Sequence, residues 1–231
     1  MDLGQLGSVG GFFALRAGAP PAGAVPLARA YAADGASALA HRVDKVVARL
    51  RAPEVRIGVS VAQLGLAARL CSVAVGGAAL FGAVPDLDPE RLHWDPDGTS
   101  PDDLWIDRVE PLPVGRIAEV LVEGHLAPLA AALTRRYRIA PGLLRGNAGS
   151  ALAGSVRELE TWAAEAGRPE AAARGRAAAE ELFADPGLQA AGPLPEPGAR
   201  HRRRSCCLYY RCPGGGLCGD CCFETAPRTA D

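Results

Sequence analysis

Residues 57–84 read IGVSVAQLGLAARLCSVAVGGAALFGAV, a long and largely apolar run. A membrane-spanning helix needs about twenty such residues, so the length alone raises that reading. Gln63 and Arg69 argue against it, because an arginine in a lipid-facing helix costs about 3 kcal/mol or more. The glycines and alanines also suit close packing of one helix on another. The run is therefore read as a buried core helix, and no membrane span is expected.

Toward the N-terminus, Leu39, Val43, Val46, Val47 and Leu50 recur at helical spacing, and Pro53 ends that helix. Pro20-Pro21 separates the segment Leu27–Tyr31 from Val9–Leu15. The latter follows Asp2 without a basic leader, which fits a buried segment better than a secretory signal. Toward the C-terminus, Trp94 and Trp105-Ile106 flank dense turn chemistry (Asp95-Pro96-Asp97-Gly98, Ser100-Pro101-Asp102), which predicts a short hairpin. Helical periodicity returns at Gly115. Pro128 then implies a kink, or two helices meeting near Gly124-His125. Further helices are expected from about Ala148 to Trp162 and over Pro169–Phe183. Residues 185–199 hold four prolines and three glycines, the composition of a semi-rigid linker. The expected fold is mainly α (α+β with a small hairpin): a helical body over 1–184, a hinge over 185–199, and a short cysteine-rich module over 200–223.

A chain of 231 residues, 48% hydrophobic, can bury one substantial core with a small appendage and is not disordered overall. The positive charge is nearly all arginine, with Lys45 the only lysine, and the formal net charge of −1 gives no reason to expect nucleic acid as a partner. Six of the seven cysteines lie between 206 and 222, with Cys71 apart. A disulfide scaffold would spread its bridges through a small secreted domain. Cysteines crowded at one end of an ordinary globular chain point instead to a metal in a reducing, cytoplasmic setting.

The spacing C-C-x10-C-x2-C picks out Cys206, Cys207, Cys218 and Cys221. Four thiolates complete the protein ligation of a 2Fe–2S cluster. Pro213 and Gly214 to Gly216 offer a tight return between the ligand pairs, with backbone N–H groups free to approach the sulfurs. Leu208, Tyr209, Tyr210, Leu217 and Phe223 are candidates for an apolar cover. A cluster on four thiolates carries −2 when oxidised, which His201, Arg202, Arg203, Arg204 and Arg211 can offset. The plainer reading of these arginines is a solvated linker end. The competing metal reading is a structural four-cysteine zinc module, but zinc sites usually show two separated short pairs, and adjacent Cys206-Cys207 fits that poorly. Spacing favours iron–sulfur over zinc without excluding either.

The run RRRSCCLYYRCPGGGLCGDCC over 202–222 closely resembles the C-terminal 2Fe–2S domain of FhuF-like ferric siderophore reductases, whose four cysteines map onto Cys206, Cys207, Cys218 and Cys221. Weaker resemblance extends to Val9–Leu15, Ser60–Leu70 with Val84 to Asp88, His125 to Leu129, and Gly146-Asn147 with Ser150 to Leu152. Cys212 and Cys222 are extra to the pattern and stand as alternative ligands. The resemblance implies a 2Fe–2S oxidoreductase of iron acquisition that transfers one electron to a ferric siderophore. An external electron donor is implied, since the chain has no G-x-G-x-x-G fingerprint outside the cysteine loop and no P-loop.

By the same analogy the siderophore would sit between body and cluster loop, with His125 and Asn147 as candidate contacts. Each is more often a satisfied structural residue, since lone polar groups on helices usually find local partners. Arg69 reads as a buried arginine paired with a carboxylate, and Asp86, Asp88 and Glu90 as a solvated turn. Asp95, Asp97, Asp102 and Asp103 do not match an EF-hand. The opposing functional reading is an iron–sulfur redox or iron sensor, or an interaction protein, which would not turn over ferric siderophores.

Overall fold

A computed structural model describes residues 1–33 and 37–227. It is 56% helical and 7% strand, mainly α with a small β part, as expected. The elements are α1 (Leu3–Gly7), β1 (Arg16–Ala17), β2 (Val25–Pro26), α2 (Leu27–Tyr31), α3 (Ser37–Leu50), α4 (Val55–Phe81), β3 (Ala83–Pro85), β4 (Leu92–Trp94), β5 (Leu104–Ile106), β6 (Pro111–Pro113), a π-helix (Glu119–Leu126), α5 (Ala127–Arg136), α6 (Pro141–Glu165), α7 (Pro169–Ala184) and α8 (Pro186–Gln189).

The central helix is α4, packed by α3, α6 and α7. Small residues allow the close approach: a Cβ at Gly58 would strike the Val47 side chain of α3. Gly82 ends α4 in the left-handed conformation (φ +65°), its N–H bonded to the Ala78 carbonyl at 3.1 Å. By length and composition Val55–Phe81 and Val114–Arg136 could each cross a membrane, yet 78% of the apolar window of the first, and 50% of the second, is buried within the protein. Burial of that kind is what a core helix requires.

Arg69 of α4 pins the N-terminal segment. Its Nε–H donates to Asp103 at 2.7 Å, and its Nη groups donate to the carbonyls of Gly11, Phe12 and Ala14. The turn acids are likewise used structurally: Asp97 pairs with His41 and Lys45, and Asp102 with Arg16. Asp86 and Asp88 accept N–H bonds from Asp88 and Glu90 in successive tight turns.

The local detail departs from expectation in places. The hairpin β4–β5 exists, but β1 adds in parallel to β5 and β2 antiparallel to β4, giving the order β1-β5-β4-β2, while β3 and β6 form a second small sheet. Two- and three-residue strands carry too little alternation to be read from sequence. The helix expected from about Ala148 begins at Pro141, whose missing N–H is harmless in a first turn. As expected, two helical elements meet beside Gly124-His125: the π-helix ends at Leu126 and runs directly into α5, with Pro128 in the first turn of α5. Within 185–199, Asp185 caps α8, and Leu188 and Ala191 are buried against the body.

Candidate metal centre

The C-terminal module lies on α4 and α6, and three buried polar side chains place it there. Ser60 of α4 donates its hydroxyl to the Cys207 carbonyl at 2.8 Å. Asn147 of α6 donates to the Ser60 carbonyl and hydroxyl at 2.9 and 3.1 Å, and accepts from Arg203. Ser150 donates to Asp220, whose other oxygen lies 3.6 Å from Arg157. A Cβ at Gly146 would fall on the Ser205 hydroxyl, so the missing side chain is what admits the module so close to α6. The two cysteine-bearing arms are joined by a backbone bond from Arg203 N–H to the Asp220 carbonyl at 3.1 Å.

Beyond Cys207 the chain turns sharply. Leu208 takes φ +68°, a left-handed conformation that a branched side chain adopts at some cost. The turn brings successive N–H groups toward the sulfurs: Leu208 N–H donates to Cys206 Sγ at 3.2 Å, and the Tyr209 N–H acts to lower the Cys207 thiol. The second arm repeats the pattern. Phe223 N–H donates to Cys221 Sγ at 3.5 Å, the Asp220 N–H acts to lower the Cys218 thiol, and Cys221 N–H closes the turn on the Cys218 carbonyl. Cys206 and Cys221, one from each arm, thus accept an N–H from the residue two positions on. Such N–H groups stabilise a thiolate and tune a bound metal. Between the arms, Gly215 donates to the Cys212 carbonyl at 2.8 Å, where a Cβ would strike the Tyr209 carbonyl.

Sulfur electrostatics separate the remaining cysteines. Cys207 and Cys218 Sγ stand 3.5 Å apart. A tetrahedral metal with bonds of about 2.3 Å holds its sulfurs about 3.8 Å apart, so this pair is spaced to share one metal atom. The hydrogen bond from Cys218 lowers the Cys207 thiol to about 7 and correspondingly raises Cys218, while the Arg203 charge lowers both. Burial chiefly raises Cys206, which also feels Cys222, Cys221 and Cys218. Cys222 therefore lies among the sulfurs, whereas Cys212 is raised by burial alone. Cys71 is wholly buried in α4, its thiol pushed up to about 12, and takes no part. Among the described residues no three acidic, histidine or cysteine side chains already stand in coordination geometry. What the fold supplies is the converged backbone and an all-thiol donor set, which fits an iron–sulfur cluster.

The expected surroundings are partly rearranged. Tyr210 and Phe223 pack edge to face at 5.7 Å and form part of an apolar cover, but Leu217 is exposed. Arg211 is committed to Glu54 at 2.7 Å, and Arg202 to Glu224 and the Cys222 carbonyl. Arg203 and His201 are buried, so this stretch is not simply a solvated linker end. His125 and Asn147 are both fully buried, His125 hydrogen-bonded within the body and Asn147 between Ser60 of the body and Arg203 of the module. Ser60, Ser150 and Asp220 were not singled out from the sequence. The signal available was a polar residue inside a buried helix, which implies a partner without naming it. Ser150 also lines a cleft of about 300 Å³ with Phe12, Leu64, Ala68 and Glu158, beside the Cys218–Cys221 arm.

Residues 203–223 match the family model described as the FhuF 2Fe-2S C-terminal domain. The match covers the cysteine module and does not extend into the helical body. No curated protein matches the chain. The C-terminal module is an iron–sulfur domain of the FhuF type, and its cofactor is a 2Fe–2S cluster.

Proposed function

We propose that this chain is a cytoplasmic ferric-siderophore reductase, with Cys206, Cys207, Cys218 and Cys221 as the cluster ligands. Residues 200–223 form the redox module, joined through 185–199 to a substrate-facing body over 1–184. The observation that carries the reading is the FhuF-type domain match, together with the N–H bonds accepted by Cys206 and Cys221, one in each arm. When bound, a 2Fe–2S cluster supplies one-electron storage at a potential set by its surroundings.

The chain's own residues shape that chemistry. The N–H groups on Cys206 and Cys221 and the buried Arg203 favour thiolates over thiols. Ser60, Asn147 and Ser150 hold the inner side of the module on the body, while half-buried Cys206 and Cys218 leave its outer edge accessible to a substrate or donor. A ferric siderophore binds Fe(III) through hard oxygen donors. One added electron lowers the metal charge, weakens those bonds and lets Fe(II) leave. Without a nucleotide-binding motif in the chain, an external reductase or ferredoxin must supply that electron.

The test is anaerobic reconstitution with iron and sulfide, followed by visible spectroscopy and mixing of the reduced protein with ferric hydroxamate or catecholate in the presence of a ferrous chelator. Thiolate-to-iron bands should disappear in Cys206→Ser, Cys207→Ser, Cys218→Ser and Cys221→Ser, and persist in Cys212→Ser and Cys222→Ser. The wild type should be reoxidised by the ferric chelate with one Fe(II) released per electron. A cluster that reduces but passes no electron to any ferric chelate would defeat the reductase reading.

A further inference from the structure

Arg203 is buried, with 4% of its surface exposed, and a guanidinium stays charged at any physiological pH. A charge in that position requires a compensating anion, because lone burial costs several kcal/mol. Its hydrogen bonds, however, go to neutral acceptors. One Nη–H donates to the Asn147 amide oxygen, and Nε finds no partner among the described residues. The nearby carboxylate of Asp220 accepts from Ser150 on one oxygen; its other oxygen lies 3.6 Å from Arg157 without a hydrogen bond, and it forms no ion pair with Arg203 among the described residues.

The orientation of Asn147 is set by the groups around it. Its amide nitrogen must face the Ser60 carbonyl, so its oxygen must face Arg203. A neutral amide at this point holds the guanidinium without neutralising it. The same amide bonds Ser60, and Ser60 bonds the Cys207 carbonyl, so cation and ligand arm are fixed to one buried frame. The Arg203 N–H donates to the Asp220 carbonyl at 3.1 Å, so the residue that carries the charge also ties the Cys206–Cys207 arm to the Cys218–Cys221 arm.

We infer that Arg203, held by Asn147, is the internal counter-cation of the cluster and a positioning residue that raises its reduction potential. The inference rests on the ligand set proposed above. One-electron reduction takes a four-thiolate 2Fe–2S centre from −2 to −3, so a fixed adjacent cation favours the reduced state. Buried on the body side, it is screened far less by salt than the exposed arginines of the same run.

The test is a spectroscopic redox titration of reconstituted protein, with iron and sulfide content read first and thermal melting in parallel. Arg203→Gln should shift the one-electron equilibrium toward the oxidised form by tenfold or more, which is about 59 mV. Arg203→Lys, which keeps the charge, should shift it by much less. Asn147→Asp, nearly isosteric, should shift it in the same direction as Arg203→Gln by neutralising the arginine in place. Equal potentials in the Gln and Lys variants on intact clusters would overturn the inference and leave the ligand set standing. A wild type that takes up no cluster would overturn both. If Arg203→Gln cannot hold a cluster, Asn147→Asp decides, and loss of the cluster in every variant would make Arg203 a folding residue only.

Discussion

At His125 both ring nitrogens are assigned by their neighbours: Nε2 must donate to the Leu87 carbonyl at 2.6 Å, so Nδ1 accepts from the Tyr31 hydroxyl at 3.0 Å. Only the neutral ring satisfies that pair, and burial lowers its pKa from 6.5 to about 4. Between those two values the unfolded chain binds more protons than the folded one. Stability from this residue is therefore complete above about pH 6.5 and falls as pH drops toward 4, by about 3 kcal/mol in all. Urea unfolding across that range should show a steeper pH dependence for the wild type than for His125→Asn, and parallel curves would show that the histidine is not held neutral. That His125 is a structural residue could be anticipated as a generality about polar groups on helices. Its two partners, 38 and 94 residues away in sequence, could not.

At the scale of elements, α4 behaves as its composition implies, a helix apolar all round and buried all round. Arg69 is its one internal charge, and it does more than pair with Asp103, since three N-terminal carbonyls also depend on it. Asp103→Asn should cost about 3–5 kcal/mol by leaving the guanidinium uncompensated. Replacing a simple buried ion pair by apolar residues often restores stability. Here the double variant Arg69→Met/Asp103→Leu should remain destabilised in urea titrations, because the carbonyls of Gly11, Phe12 and Ala14 lose their donor. A double variant as stable as the wild type would show those carbonyl bonds to be dispensable. The pairing was legible as "arginine with a carboxylate", but four nearby aspartates were equal candidates until the β4–β5 connection placed Asp103 beside α4.

At the scale of the molecule, the body has a core of its own and the module does not. The continuous hydrophobic core runs from Leu6 to Ala191. Over 200–223 the buried apolar residues are Cys207, Cys212 and Cys221, and the other buried groups are His201, Arg203 and Asp220. So small a segment gains its order from metal ligation and from its bonds to α4 and α6. Removing the cluster by chelation should make trypsin cut within Arg200–Arg211, while the thermal transition of the body barely moves. A cluster-free module as resistant as the loaded one would mean that the contacts with Ser60, Asn147 and Ser150 suffice alone.

The sequence by itself determined the mainly helical class, the burial of α4 and the iron–sulfur character of the C-terminus. These rest on local information: apolar period, turn residues, and a short cysteine run whose spacing left zinc open and whose resemblance to a known iron–sulfur domain favoured the cluster. Only the tertiary structure decided where that module sits, that the frame beneath it is Ser60, Asn147, Ser150 and Arg203, and that Asn147 serves as a support within it. Those contacts join residues 56 to 147 positions apart. A hydrogen bond at that separation is specified by how α4 and α6 pack, and a polar residue carries no mark of which distant partner will satisfy it.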